Sequence, residues 1–410
     1  MARNGSVAAL RDALMRCRQD TLAIFALYEA ALPRLQVPFG PTVNPPLWEL
    51  GHIGWFQEYW LARNPQRHMG VRADPQVTRY GAVRAQADDL YNSSEVPHAS
   101  RWRLPLPDAT ATRADLQAQL QITLDLLDAV SVGEPASDKA RDDSLYFFRL
   151  ALHHEDMHNE AALYMAQALG IAVPIDRWQV PVLPAPGEPL SLPMANRRIG
   201  VAADSAAGFA FDNEYGTLDI QVPAFTMDAQ VVRWCEYLAF VKAGGYEQQA
   251  WWSEAGRAWL STMAARGDTP GPRYLRCTDG AWQQWRNGQW SALDLAQPAC
   301  HLTWFEADAW CRWSGRRLPT EAEWDYGVTQ AASAFRWGEV WEWTASAFAP
   351  FPGFVAHPYR DYSAPWFDGR PVLRGASFMT QPRMRHPQYR NFFEAHRSDV
   401  PAGFRSCAAR

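Results

Sequence analysis

The stretch SLYFFRLALHHEDMHNEAALYMAQA, residues 144–168, reads as one long helix. It carries His154 and His158 four positions apart, so the two imidazoles lie on the same helix face, one turn from each other. Such a pair is suited to bind a transition metal through nitrogen. The letters HEDMH also match the His-Glu-x-x-His signature of zinc peptidases. The function depends on which interpretation the other residues favour.

Three further helices are predicted before this one, over residues 6–32, 47–63 and 112–130. In the last of these, leucines recur at helical spacing, while residues 85–107 between the second and third helices are irregular. Four long helices within residues 1–172 predict a bundle, and bundles often bind metals between facing helices.

The second helix supplies a third candidate ligand, His52. It shares a helix face with aromatic residues that are expected to point into the bundle: Trp48, Trp55, Phe56 and Tyr59. A histidine on such a stripe is often a plain core residue, but a His-x-x-x-His pair in the same bundle favours a ligand. His153 is expected to face elsewhere, because consecutive helical residues diverge by about 100°.

Beyond the bundle, residues 173–196 are rich in proline and are predicted to be a linker. Residues 197–410 alternate short apolar runs with clusters of Gly, Pro, Asn and Asp. Only residues 231–243 and 304–314 look helical there. The whole chain is therefore predicted to be an α+β protein.

The composition is that of a soluble globular protein: of 410 residues, 48% are hydrophobic and 20% charged. The net charge of −5 offers no positive field for nucleic acid or an anionic membrane. No run approaches the roughly 18 apolar residues that a membrane span needs. Six scattered cysteines without a Cys-x-x-Cys pair favour reduced thiols. These features predict a cytoplasmic protein.

The zinc-peptidase interpretation needs Glu155 as general base and a further ligand downstream. The residues after His158, NEAALYMAQ, contain no Gly-x-x-His, and Glu160 is too close to be the more distant glutamate of other zinc peptidases. A hydrolase is therefore the weaker alternative. Three imidazoles suit Zn, Fe or Cu equally by ligand type, so the donors alone leave the metal open.

Motifs in both halves resemble the ergothioneine sulfoxide synthase family. The N-terminal half resembles a DinB-like four-helix bundle, and the C-terminal half resembles the formylglycine-generating-enzyme, or C-type-lectin-like, fold. The segments that carry the second likeness are HLTWFEADAWCRWSGRRLPTEAEWDY (301–326), EVWEWTASAFAPFPGF (339–354), VLRGASFMTQ (372–381) and YRNFFEAHRSDVPAGFRSCA (389–408). The implied α+β architecture has a bundle over 1–172, a linker over 173–196 and a substrate-binding domain over 197–410.

Within the family, three segments are most similar to a branch that joins a selenosugar, 1-seleno-glucose, to hercynine, which is Nα-trimethylhistidine. These segments are PPLWELGHIGWFQEYWLARNPQR (45–67), LYFFRLALHHEDMHNEA (145–161) and FFEAHRSDVPAGFRSCA (392–408). The resemblance implies a non-haem Fe(II) bound by His52, His154 and His158. It also implies O₂ as co-substrate for oxidative C–Se bond formation.

The resemblance further implies roles for single residues. Tyr359 matches a catalytic proton donor, and Tyr362 and Asn391 match residues that hold the substrate. The remaining residues that the resemblance places in substrate binding are Phe392, Phe393, Arg397, Met157, His98 and Arg101.

Three of these positions depart from sulfur enzymes that use γ-glutamylcysteine. The pair of arginines that can bind its carboxylates is reduced to Arg101, because His98 stands at the other position. Phe393 replaces an acidic residue and Met157 a polar one. A neutral sugar needs fewer fixed charges than a dicarboxylate peptide, so the departures favour a selenosugar donor.

Three alternatives stay open: C–S bond formation from a thiol donor, a zinc hydrolase that uses Glu155, and a binding module without activity. The family that the C-terminal domain resembles converts a cysteine to formylglycine, and it uses a pair of active-site cysteines to do so. Cys407 has no partner at suitable spacing and is expected to be a buried small residue.

Overall fold

The computed structural model describes residues 3–132, 137–202 and 208–409, and its N-terminal part is built from helices. These are α1 (Val7–Ala31), α2 (Pro46–Trp60), α3 (Ala87–Tyr91), α4 (Ala109–Val132) and α5 (Asp138–Leu169). All four predicted long helices are confirmed. The additional α3 lies in the stretch predicted to be irregular.

The limits of α5 follow from its terminal residues. The Ser137 side chain accepts a hydrogen bond from the backbone of Ala140, and Gly170 ends the helix in the left-handed region at φ 72°. A serine N-cap and a glycine after the last turn satisfy backbone groups that a helix leaves unpaired. Both caps lie outside the predicted 144–168 stretch, so the helix is longer than the sequence predicted.

The C-terminal part combines short strands and helices. Its first half contains β1 (Leu190–Leu192), β2 (Ala195–Val201), β3 (Gly216–Val222), β4 (Phe225–Met227), α6 (Trp234–Lys242), α7 (Glu254–Ala265), β5 (Leu275–Thr278), β6 (Ala281–Arg286) and β7 (Gln289–Ala292). Its second half contains α8 (Trp304–Trp313), β8 (Arg316–Arg317), α9 (Glu321–Gln330), β9 (Trp341–Ala347), β10 (Pro371–Gly375), β11 (Arg390–Phe392), β12 (Ala402–Gly403) and β13 (Cys407–Ala408).

Two four-stranded sheets organise this part, with strand orders β1-β4-β13-β8 and β11-β10-β9-β12. In the second sheet, β10 lies antiparallel between β9 and β11, with Leu373 opposite both Trp343 and Asn391. This register brings Trp341 on β9 and Phe392 on β11 into the same sheet. The β2–β3 hairpin and the β5–β6–β7 meander complete the strands.

Helices α6 and α8 confirm two predicted helices, but the expectation that the C-terminal part has no others was wrong. Helix α9 begins with a capping box, in which Thr320 and Glu323 satisfy each other's backbone N–H groups. Helix α7 begins with Ser253 as N-cap. Helix α9 (EAEWDYGVTQ) is short and mixes Gly, aromatic and polar residues, so its apolar periodicity is weak.

The predicted linker packs between the two halves. Trp178 and Leu183 belong to an apolar cluster with Phe378 and Met379 of the C-terminal part. β1 and the start of β2 fall inside the 173–196 range, and β1 pairs with β4. The sequence-based domain limits stay a prediction.

All six cysteines are free, in agreement with the expectation of reduced thiols, and Cys407 is buried in β13. No helix in the described ranges is long and apolar enough to cross a lipid bilayer.

Candidate metal centre and substrate cavity

Three histidines converge inside the bundle. His52 comes from α2, and His154 and His158 come from successive turns of α5. Their ligand nitrogens all lie within 4.8 Å of one another. The Nε2 atoms of His154 and His158 are 3.2 Å apart. The predicted grouping of the three imidazoles is therefore present in the structure.

Neighbouring groups orient the rings. Nδ1 of His52 donates to the Tyr91 carbonyl at 2.8 Å, and Nδ1 of His158 donates to the Glu49 carboxylate at 2.5 Å. These partners assign the ring protons to Nδ1 and leave the Nε2 lone pairs facing the centre of the cluster. The His154 ring is instead fixed by stacking on Phe56, with centroids 3.5 Å apart and planes 4° apart.

Burial favours the neutral form of two of the candidate ligands. It lowers the pKa of His52 to about 3 and lowers the pKa of His154 well below its ordinary value, and the adjacent imidazoles add to both shifts. Burial opposes ionisation of Glu49, but the hydrogen bond and electrostatic attraction to His158, with smaller contributions from His52 and Arg101, together lower the pKa of that carboxyl. Neutral imidazoles backed by a carboxylate and a carbonyl fit a divalent transition metal.

A cavity of about 630 Å³ opens beside His154 and His158. Both halves of the chain form its walls. The aromatic lining residues are Tyr164, Trp341, Tyr359, Tyr362, Trp366, Tyr389, Phe392 and Phe393. Near them, the Ser94 hydroxyl of the N-terminal part donates to the Asp361 carboxylate of the C-terminal part. The volume lies in the range of sites for small organic molecules.

Most predicted site residues lie on this cavity. Those that line it are Tyr359, Tyr362, Asn391, Phe392, Phe393, Met157 and Arg101, together with the metal-ligand candidates His154 and His158. The Tyr359 ring is 6.2 Å from that of His154 and packs edge-on against Phe56. Burial raises the pKa of Tyr359, so its hydroxyl keeps its proton at neutral pH.

His98 and Arg397 are not among the residues that line the cavity. Nε2 of His98 donates to the Val43 carbonyl at 2.9 Å, and its ring packs edge-on against Trp102. Arg397 forms two hydrogen bonds of 2.6 Å to Asp399 and lies over the Phe393 ring. Both side chains are engaged in local contacts.

The sequence did not assign Glu160 to the cavity wall, although the structure places it there. Its carboxylate accepts hydrogen bonds from Trp341 Nε1 and Ser377 Oγ, both at 2.7 Å, and from Thr380 at 2.8 Å. Burial raises its pKa, and these donors oppose the shift. The only sequence signal is an acidic residue in the otherwise apolar end of α5. Its partners lie more than 180 residues downstream and could not be predicted.

The hydrolase interpretation was wrong about Glu155. Its carboxylate accepts from Arg18 Nε at 2.8 Å and from Thr21 Oγ1 at 2.6 Å, inside the bundle. It does not line the cavity, and both oxygens are occupied by Arg18. A carboxylate in this position cannot serve as the general base at the histidine cluster.

His153 faces away from the histidine cluster, as predicted, and its ring packs against Phe209 and Phe211.

Comparisons with known proteins agree with this architecture. Residues 5–162 match the family model of the DinB superfamily, and residues 193–339 match that of the sulfatase-modifying factor enzyme 1-like domain. The predicted fold class is thereby confirmed. The chain is a two-domain protein in which a DinB-type bundle carries a three-histidine cluster against a sulfatase-modifying-factor domain.

Relatives that match nearly the whole chain identify the family more closely than the two domain matches do. The chain is 30% identical to the hercynine oxygenase of Mycolicibacterium smegmatis, over 97% of each chain. It is 29% identical to the hercynine oxygenase of Mycobacterium tuberculosis, over 96% of each. The formylglycine-generating enzyme of Streptomyces coelicolor matches only 32% of this chain, at 29% identity over 45% of its own length. The chain belongs to the hercynine oxygenase family of enzymes.

Removal of one ligand tests the cluster. We expect His52→Ala to weaken binding of Fe(II) or Co(II) by more than about 100-fold, because loss of a direct ligand exceeds the effect of losing an outer partner. Competition with a chelator measures this affinity. His68→Ala, a change of an exposed histidine in the same domain, should leave it unchanged. Full metal occupancy in His52→Ala would contradict the ligand set.

Proposed function

We propose that this protein is a selenoneine synthase, which uses a non-haem Fe(II) ion and O₂ to join 1-seleno-glucose to hercynine through a C–Se bond. The observation that carries the proposal is the three-histidine cluster at the edge of an aromatic cavity that contains one buried carboxylate. The cytoplasm, with its reduced thiols, is the proposed location.

His52, His154 and His158 would hold the iron. When bound, such an ion supplies the redox chemistry by which O₂ oxidises the coupling partners. Three protein ligands leave further coordination positions open, and the cavity lies on the side of His154 and His158. The role of the cavity residues is then to bind both organic substrates and orient them towards this side.

Hercynine carries a trimethylammonium group, which has no N–H to donate. Aromatic faces and a nearby carboxylate are the groups that attract such a cation. Glu160 lies on the cavity wall with Trp341 and Tyr389, and Trp341 donates directly to Glu160. We therefore place the ammonium group of hercynine near these three residues. Asn391 and Phe392 on β11 are proposed to contact the rest of the molecule.

Tyr359 is the proposed proton donor. Its hydroxyl remains protonated at neutral pH because burial raises its pKa, and its ring lies close to His154. Tyr362 packs 6.1 Å from it, between the Phe211 and Phe392 rings. This packing holds both tyrosines at the cavity wall.

The charge of the cavity supports a sugar donor. Among the described lining residues, Arg101 is the only arginine or lysine. The neighbouring position that could have carried a second arginine is His98, whose ring nitrogen is engaged with Val43. Phe393 and Met157 add apolar surface. A dicarboxylate peptide would have only one guanidinium for its two carboxylates. A sugar hydroxyl needs no more than one such donor.

A thiol donor, and hence C–S bond formation, is the second candidate. It is favoured by the relatives, which are hercynine oxygenases, and by Arg101, which could bind one donor carboxylate.

Donor competition separates these candidates. We expect Fe(II)-loaded protein, mixed in air with hercynine and equal amounts of selenoglucose, thioglucose and γ-glutamylcysteine, to give mainly the C–Se product by mass spectrometry. Protein without metal is the control and should give none. A product derived mainly from γ-glutamylcysteine would favour the sulfur enzyme. Absence of both coupling and oxygen uptake would favour a binding module.

The cation site is tested by Glu160→Gln. We expect the KM for hercynine to rise about tenfold, equivalent to about 1.4 kcal/mol, because a neutral amide attracts the ammonium less than a carboxylate does. Iron content should stay constant, since Glu160 is not a ligand. Glu188→Gln, the same change at an exposed site, should behave like the natural protein. A hercynine KM that stays constant in Glu160→Gln counts against this placement.

The proton donor is tested by Tyr359→Phe. We expect kcat for coupling to fall by about 100-fold, the lower end of the range for general acid catalysis, with unchanged iron content. Tyr80→Phe, which alters an exposed tyrosine, provides the matched control. Stopped-flow and product analysis measure the rate. Normal turnover by Tyr359→Phe would exclude the proposed role.

A further inference from the structure

Arg101 on the cavity wall has unusual surroundings. Its guanidinium lies 3.7 Å over the Trp48 ring, and Nη1 donates to Asn44 Oδ1 at 2.9 Å. It forms no ion pair with any carboxylate of the described residues. The guanidinium is half-buried, and the neutral amide of Asn44 accepts its side-chain hydrogen bond.

Asn44 lies between Arg101 and Glu49, which in turn contacts the candidate ligand His158. Its Nδ2 donates to Glu49 Oε1 at 2.5 Å, and Glu49 Oε2 accepts from His158 Nδ1 at 2.5 Å. Three consecutive side-chain hydrogen bonds thus connect Arg101 to His158. A second contact runs through Trp48, which stacks on His52 with planes 10° apart and centroids 4.8 Å apart.

Hydrogen bonds in such a chain polarise one another. Donation from Arg101 makes the Asn44 amide a stronger donor, and this draws charge from Glu49. A less charged Glu49 accepts more weakly from His158, so the imidazole gives less electron density to a bound metal. A weaker bond between Arg101 and Asn44 should therefore make the metal easier to oxidise.

We propose that Asn44 and Glu49 are positioning residues that couple Arg101 to the metal, so that the hydrogen bonds of Arg101 set the metal's reduction potential. The inference rests on the proposed function, in which Arg101 meets the donor substrate. A donor whose hydroxyl or anionic group takes hydrogen bonds from Arg101 then makes the ion a stronger reductant. An ion held by the three histidines would then be more readily oxidised when the donor is in place.

The test is the midpoint potential of the Fe(III)/Fe(II) couple, measured anaerobically by spectroelectrochemistry on iron-loaded protein. We expect Arg101→Gln and Asn44→Ala each to lower it. The double variant should show about the larger single shift rather than the sum, because both residues act through one chain. Saturating 1-thio-glucose should lower the potential less in Arg101→Gln than in the natural protein.

Arg103→Gln removes the same charge from an exposed position in the same turn, and its potential should equal that of the natural protein. Arg101→Gln alone decides the question if Asn44→Ala does not fold. Unchanged potentials at full iron occupancy overturn this inference and leave the proposed function intact. Failure of the natural protein to bind iron overturns both.

Discussion

Helix α5 buries charged side chains on several sides at once, and the rest of the structure depends on how they are paired. Glu155 meets Arg18 of α1 inside the bundle, while Asp156 meets Arg383 of the C-terminal domain. An unpaired charge in such positions is strongly destabilising. Burial raises the pKa of Asp156 to about 6 even with Arg383 beside it. The Glu155 and Asp156 carboxylates are therefore both paired only when the bundle and the second domain are in place.

This constraint also explains where the cavity lies. On α5, the two turns that present His154 and His158 are followed by Glu160, whose hydrogen-bond donors all come from the second domain. The same helix thus supplies two of the three candidate metal ligands and anchors Trp341 on the wall of the adjoining cavity. The three candidate metal ligands belong to the bundle, and most of the aromatic wall belongs to the other domain. Neither domain forms the site alone.

The sequence was most informative where the chemistry is local. Spacing of four residues predicted that His154 and His158 share a face, and the aromatic stripe of α2 placed His52 in the bundle. Predictions were poorer where a residue depends on distant partners. Glu160 acquires its surroundings from β9 and from Ser377, and the weakly periodic α9 is recognisable mainly by its capping box. The positions of His98 and Arg397 likewise depend on loops whose course no periodicity reveals.

The HEDMH segment shows that the surroundings of a residue, and not its spacing, decide between two chemistries with the same letters. Glu155 directly follows His154, the position of the general base in the zinc-peptidase signature, and about 100° from the face of the two histidines. There it meets Arg18 and Thr21 instead of a metal-bound water. The charges that remain at the cavity are carried by Arg101, Glu160 and Asp361, of which Asp361 is exposed and accepts from Ser94. Under the proposed function, the buried carboxylate attracts the cationic substrate and the half-buried guanidinium attracts the polar donor. The two molecules would then be ordered beside the three-histidine cluster by separate charges.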